Sequence, residues 1–433
     1  MSSKPKDQDG GGYGEVRAAL PVDTLEKYLE KNIPHFAGPI NVKQFNFGQS
    51  NPTYLLTTPS HRLVLRRQPS GKLLSPTAHR IDREYLILSH LNQYNDGLGD
   101  KASELGVPVP KVYCLCMDPS VVGSGFYVME YLEGRIFTDV RMPSLPESER
   151  RECWRSAIDT LTRLSSIPLD LLRLPSSFAP RPEDKPYFPR QVGSLLKVSA
   201  SQSEATSPDG KRTGEIWGTK ELRPYFESGA KLLAENEKRR GVGAVVHGDF
   251  KLDNLIFHPT QPRVIGILDW ELCTLGSPLA DLGNLLLPFS FSRITDPALL
   301  NKLTDGRGET GLVIALKGLS SKETGLPTRD ELEHWWVEGM NAGQDWHKRG
   351  DRAVASRWSW PIEHMGWVRS WILFRLAIIA QGIAARAALG QASSALARAD
   401  DTQFNFFGQK AWEAKRDAEE EDKAHGGRSN ARL

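Results

Sequence analysis

The sequence predicts an α+β protein built as two lobes: a small antiparallel β lobe with one helix, then a larger helical lobe. Three observations carry this. Short apolar runs with alternating polarity crowd the stretch from Val42 to Leu132. A single segment of helical period interrupts them near residue 80. Beyond residue 133 the period is mainly helical, and 433 residues suffice for two or three compact units or one large two-lobed one.

The elements follow in order. Residues 1–20 are rich in glycine and charge and are expected to form a disordered tail. The first lobe is assigned to residues 21–132. It opens with a short helix, with Asp23 as N-cap and Leu25, Tyr28 and Leu29 on one face. Three strands follow: one ending at Gly48, one around 54–57 and one at 63–66. Ser75 and Pro76 open a helix with the apolar stripe Ala78, Ile81, Tyr85 and Leu88. Glu84 falls beside that stripe, so its carboxylate is expected to face inward. Two more strands are read at 107–113 and 125–132.

The second lobe is assigned to residues 133–412. A helix starts near Pro146 with Trp154, Ile158 and Leu161 inward. The Ser-rich stretch 197–215 is expected to be a surface loop. Runs at 255–257 and 264–268 flank His-Pro-Thr-Gln-Pro and predict a hairpin. Helices are expected to return after Thr328. The most apolar stretch, 371–389, is broken by Arg375, Gln381 and Arg386, so it reads as a buried helix and not as a membrane span. Residues 413–433 form a highly charged tail that is expected to fray. No internal repeat is visible.

Composition narrows the function. Lys+Arg 55 against Asp+Glu 53 leaves +2, no global field for nucleic acid or an anionic membrane surface. Neither is expected as a partner. The four cysteines, Cys114, Cys116, Cys153 and Cys273, are too few for a disulfide scaffold and lack zinc-ligand spacing, which points to a reducing compartment. The N-terminal residues have no apolar core and few arginines, so neither a secretory nor a mitochondrial leader is expected. The chain is expected to be soluble.

The chemistry concentrates in VVHGDFKLDNLIF at 245–257. A strand delivers His247, Gly248 and Asp249 to a loop. Asn254 lies five residues beyond Asp249, and Asp269 another fifteen on, at the end of the hairpin. Mg²⁺ wants oxygen ligands, and one or two carboxylates with phosphate oxygens suffice. Asn254 and Asp269 can supply such ligands, leaving Asp249 to accept the proton of a substrate hydroxyl. The spacing matches the kinase catalytic loop H-x-D-x-x-x-x-N followed by a metal-binding Asp.

Gly248 in that loop, and Asp-Trp-Glu at 269–271 instead of Asp-Phe-Gly, resemble the aminoglycoside phosphotransferase and choline kinase-like family. The resemblance covers residues 40 to 395. HGDFKLDN…ILDWELCTLGSPLADL, with FGQSNPTY at 47–54 and QGI…GQASS at 381–394, resembles one branch, the kinase domain fused to acyl-CoA dehydrogenases in animals. This chain is too short to hold a dehydrogenase module as well. The resemblance implies a protein-kinase-like two-lobed fold, ATP and Mg²⁺ as cofactors, and an alcohol acceptor such as a hydroxyacyl-CoA.

Other parts transfer residue by residue. Arg66 stands where the family and its protein-kinase cousins place a Lys that touches the α- and β-phosphates, with Glu84 as its partner. Arg66 also reads as a solvated strand residue, but an inward Glu84 needs a cation. Gly48 and Ser50 read equally as a phosphate-covering turn and as a plain hairpin turn. Glu130 and Leu132 lie at the joint whose backbone pairs with adenine in the family. Lys251 stands where Ser/Thr protein kinases carry a Lys that offsets γ-phosphate charge, and reads equally as an exposed Lys. His247 and Asp281 are expected to brace the loop, and Asp253 to be structural. Trp335, Trp336, Trp346, Trp367 and Trp371 make the later helices aromatic, with the spacing of 367, 371 and 374 reading as core. Arg190, Arg369, Arg375 and Arg386 offer cations for an anionic acceptor, though arginines pair with carboxylates as readily.

Two rival functions stay open: a same-fold kinase for an aminoglycoside, macrolide or choline-like alcohol, and a nucleotide-binding regulator without turnover. The retention of Asp249, Asn254 and Asp269 argues against the regulator. No Ala-Pro-Glu follows Asp269, which argues against a protein kinase. Ala431-Arg432-Leu433 resembles the Ser-Lys-Leu peroxisomal signal, so a peroxisomal import receptor is an expected partner, with the cytoplasm as the alternative location.

Overall fold

A computed structural model of the chain describes residues 13–14, 20–45, 51–69, 80–241, 243–347, 357–391 and 398–430. Gly48, Ser50, the Ser75-Pro76 helix start and the tripeptide at 431–433 lie outside the described residues. The chain divides into two compact units. The first holds residues 1–138, 142–178 and 247–274, and the second holds 139–141, 179–246 and 275–433.

In the first unit β1 (Tyr13–Gly14), β2 (Asn41–Phe45), β3 (Thr53–Thr57), β4 (Arg62–Arg67), β5 (Val112–Cys116) and β6 (Phe126–Glu130) form one sheet. Its order is β1-β2-β3-β4-β6-β5, and every pairing is antiparallel. β4 lies inside the sheet between β3 and β6, so five of its six residues are buried. Alternation divides them. Leu63 and Leu65 join a core with Leu25 and Leu29 of α1 (Val22–Asn32). Val64 and Arg66 project to the opposite face. There Glu84 of α2 (Ile81–Gly97) is fully buried, as the helical stripe predicts. The first unit also carries α3 (Ala102–Leu105), α4 (Pro119–Val122) and α5 (Glu147–Ser166), with Trp154, Ile158 and Leu161 of α5 inaccessible to solvent.

The chain then enters the second unit with α6 (Tyr187–Ser203), α7 (Thr219–Arg240) and β7 (Ala244–Val246). It returns to the first unit for the hairpin β8 (Leu255–Phe257) and β9 (Val264–Ile267). It finishes with β10 (Thr274–Gly276), which pairs with β7, and α8 (Pro278–Leu285), α9 (Pro297–Thr304), α10 (Ser321–Thr324), α11 (Arg329–Trp346), α12 (Met365–Ala388) and α13 (Thr402–Asn430). α12 has the length and apolar character of a membrane span, but 67% of its most apolar window is buried inside the protein. Trp367, Trp371 and Phe374 of α12 pack around Phe226 of α7 as core. All four cysteines are free and buried.

Several expectations are corrected. Asp23 is not the cap of α1; the N-cap is Pro21, and Asp23 lies in the first turn, where its charge favours the helix dipole. The strand read at 107–113 starts only at Val112, because Pro108 and Pro110 have no N–H for a ladder. Residues 197–203 are not loop. α6 runs to Ser203 because its serines face inward: Ser199 and Ser203 are buried, and the Ser199 hydroxyl donates to Gln381 Oε1 at 2.7 Å. Helices resume at α8, well before Thr328. The charged tail does not fray at 413. α13 continues through it, with Ala411, Ala414 and Ala418 buried on one face.

Candidate active site

Arg66 reaches the site from β4. Its guanidinium is surrounded by three carboxylates. Nε lies 3.1 Å from Glu84 Oε2, an ion pair without the alignment of a hydrogen bond. Nη2 donates to Asp269 Oδ1 at 2.5 Å and lies 3.8 Å from Glu271 Oε2. Glu84 is held from two further sides, accepting from Asn51 Nδ2 at 3.0 Å and from the Tyr127 hydroxyl at 3.1 Å. Burial pushes the Glu84 carboxyl up to about 7, and Arg66 opposes that shift. Burial works against the charge of Arg66, yet Glu84, Tyr127 and Asp269 hold its pKa above the usual arginine range. The reading of Arg66 as a solvated strand residue does not hold: its side chain is 11% exposed.

The loop after β7 is built around His247, which is fully buried. Its Nε2–H donates to the Leu268 carbonyl at 2.8 Å, and its Nδ1 accepts from the Asp249 amide at 3.2 Å. A carbonyl can only accept and an amide only donate, so both ring nitrogens are committed and the imidazole braces the loop. Gly248 follows with φ 87°, and a Cβ there would stand 2.7 Å from the Leu272 carbonyl oxygen. Both facts demand glycine. Asn254 then clamps Asp249. Its Nδ2 donates to the Asp249 carbonyl at 2.8 Å and to Asp249 Oδ2 at 2.9 Å. The Asn254 carbonyl accepts from the Leu268 amide at 2.9 Å, tying the loop to the hairpin end one residue before Asp269. Asp269 itself has φ 66°, in the left-handed region.

Lys251 Nζ stands 3.4 Å from Asp249 Oδ2 and 3.4 Å from Asp253 Oδ2. Burial works against the Lys251 charge, but the two carboxylates hold its pKa above normal. Asp253 is lifted by burial, with Lys251 opposing.

Glu130 and Leu132 lie at the end of β6. Glu130 exchanges hydrogen bonds with Lys111: its amide donates to the Lys111 carbonyl at 2.8 Å, and its Oε2 accepts from the Lys111 amide at 3.1 Å. Leu132 packs over Gly266, where a Cβ would stand 2.4 Å from its Cδ1. The structure therefore brings Arg66, Glu84, Asp249, Lys251, Asn254 and Asp269 into one compact unit. Sequence reasoning missed three companions: Asn51, Tyr127 and Glu271. Asn51 adjoins the Gly48-Gln-Ser motif in sequence, and Glu271 sits in the Asp-Trp-Glu triplet, so both carried a signal. Tyr127 carried none beyond its place in a strand.

The donor set suits a hard cation. With Nδ2 of Asn254 committed to Asp249, its Oδ1 has no hydrogen-bond partner among the described residues. The Asp269 carboxylate is 34% exposed. No cluster of three or more His, Cys, Asp or Glu suited to a metal exists among the described residues. Two protein oxygens that leave the remaining positions to phosphate and water are what Mg²⁺ accepts.

The second unit holds the other cations. Arg190 Nη2 donates to the Leu275 carbonyl at 2.9 Å, and Arg375 Nη1 lies 3.4 Å from Asn284 Oδ1. Arg386 is exposed. Arg369 is not available to an acceptor: it is buried between Glu333 at 3.3 Å and Glu421 at 2.5 Å. Asp281 is buried on α8. Trp336, Trp367 and Trp371 are buried, Trp335 is half-buried and Trp346 is exposed.

Residues 41–315 match the model of the phosphotransferase enzyme family, APH, and the chain belongs to that family. A mouse protein, acyl-CoA dehydrogenase family member 10, is 33% identical over 91% of this chain. The human acyl-CoA dehydrogenase family member 11 is 31% identical over 86% of it. The chain spans 31% and 40% of the lengths of these two relatives. The crystal structure of a Ralstonia eutropha protein named for the aminoglycoside phosphotransferases superposes over 92% of this chain and 99% of its own, with TM-score 0.65 and 26% identity. Choline kinase from Cryptosporidium parvum shares the fold at TM-score 0.50 and 11% identity, over 92% of this chain and 97% of its own. The two-lobed α+β kinase-like fold is thus shown, as is the resemblance to part of the acyl-CoA dehydrogenase family members.

Proposed function

We propose that the chain is a small-molecule kinase that transfers the γ-phosphoryl group of ATP, with Mg²⁺, to the hydroxyl of a metabolite, and that the acceptor is a hydroxyacyl-CoA. The observation that carries the reading is the clamp on Asp249. The Asn254 amide fixes one carboxylate oxygen and turns its own Oδ1 away from Asp249, so one residue pair orients a general base and presents a metal ligand. A bound Mg²⁺ would supply charge neutralisation and alignment of the phosphates. Asn254 Oδ1 and the Asp269 carboxylate would hold it.

In this reading Asp249 accepts the hydroxyl proton as the oxygen attacks phosphorus, and the ADP oxygen leaves with the bonding pair. Arg66, fixed by Glu84, offsets charge on the α- and β-phosphates, and Lys251 offsets it on the γ-phosphate. Glu130 and Leu132 place backbone groups for the adenine, and Gly48 with Ser50 covers the phosphates. The names of the curated relatives support a CoA ester as acceptor. Steady-state transfer of labelled phosphate to a 4-hydroxyacyl-CoA, an aminoglycoside, a macrolide and choline tests the choice. The 4-hydroxyacyl-CoA is expected to have the highest kcat/KM. A higher value for any other alcohol would sink the CoA acceptor and keep the kinase.

A further inference from the structure

We propose that Arg66 is an internal cation that occupies the metal-binding carboxylate until nucleotide arrives, so that the divalent metal binds poorly alone and enters as its nucleotide complex. This rests on the phosphotransferase reading above and goes beyond it by fixing the order of binding. The geometry is specific to arginine. One guanidinium serves two carboxylates through different arms: Nε faces Glu84 and Nη2 holds Asp269 Oδ1 at 2.5 Å, with Glu271 3.8 Å away. A lysine has a single ammonium and no second arm with which to hold Asp269.

The consequence is a competition. A metal ion at Asp269 would compete with Arg66, which already occupies Oδ1 and compensates the charge of the carboxylate. A nucleotide phosphate changes the balance. It offers the Nη groups of the guanidinium a partner of their own. Asp269 is then released to the metal, and Glu84, gripped by Asn51 and Tyr127, keeps Nε in place throughout. A charge-assisted hydrogen bond of this kind shifts an equilibrium by roughly tenfold or more.

The test is Mn²⁺ binding to the full chain without nucleotide, read from the electron paramagnetic resonance signal of free Mn²⁺. Two variants are compared with the wild type: Arg66→Met/Glu84→Gln, which removes the competing cation and the buried carboxylate together, and Arg66→Lys, which keeps a cation beside Glu84. Melting curves check that each is folded. Both are expected to bind Mn²⁺ at least about tenfold more tightly than the wild type. Equal or weaker binding by the folded variants would overturn the proposal. Titration of the wild type with Mn²⁺·ADP separates the two ideas: if that complex does not bind, the kinase reading fails, while the nucleotide-free comparison still decides what Arg66 does.

Discussion

Asp249 is held by the Asn254 amide at 2.9 Å and faced by Lys251 at 3.4 Å, so its carboxylate has one orientation and a neutralising neighbour. Replacing it with Ala is expected to lower kcat by roughly 10²- to 10⁴-fold while ATP affinity stays within a few fold, as read by steady-state kinetics and nucleotide titration. Gly248→Ala is expected to abolish most activity and lower the melting temperature, because an L-residue is strained at φ 87° and its Cβ would collide with the Leu272 carbonyl. Glu237 makes a pH prediction. It is buried on α7, its Oε1 has no hydrogen-bond partner among the described residues, and burial pushes its carboxyl up to about 7, with Ser277 opposing. The folded form therefore holds its proton to higher pH than the unfolded form. The stability this contributes is complete below the ordinary value of 4.5 and is lost as pH rises through about 7. Glu237→Gln is expected to be relatively more stable at pH 8 than at pH 6, in melts of both proteins. Single residues were legible where the chemistry is local. Asp249, Asn254 and Asp269 flank one hairpin of the chain, and their spacing gives them away. Asn51 and Tyr127 reach Glu84 across 33 and 43 residues of sequence, a distance no local pattern spans.

The sequence hides two of the helices, α13 and the end of α6, because their buried faces are made of small or polar residues. α13 was read as a fraying tail because its charges dominate. Its buried face from 411 to 418 is Ala at spacings of three and four, a weak signal. The last turns of α6 read as loop for the same reason, the buried positions at 199 and 203 being serines. α13 is fastened by Arg369, which lies on α12 between the buried Glu333 and Glu421. Arg369→Met is expected to cost about 3–5 kcal/mol, since it leaves the buried Glu333 carboxylate with only the more distant Arg329, at 3.8 Å, as its cation. Glu421→Gln is expected to cost far less, because that side chain is 40% exposed. Denaturant unfolding of both variants checks the order; equal losses would mean that Glu333 is not the group being protected.

At the scale of the whole molecule, alternation in β2 to β4 and the inward Glu84 already implied a β sheet backed by a helix, and the chain order of β and α segments implied a helical second part. The sequence could not show that residues 142–178 and 247–274 join the sheet in one compact unit, because that grouping depends on contacts between distant segments. It matters for function. It puts Arg66, the proposed carrier of phosphate-facing charge, in the same unit as Asp249, the proposed base, and the proposed metal ligands. The activity proposed for that unit is phosphoryl transfer to an alcohol. The most direct measurement is ³¹P NMR of the wild-type protein and the Asp249→Ala variant incubated with ATP, Mg²⁺ and a 4-hydroxyacyl-CoA. A new phosphomonoester resonance is expected to grow with ADP in the wild type and to be absent from the variant. ADP with inorganic phosphate alone, or the same phosphomonoester from the variant, would contradict it.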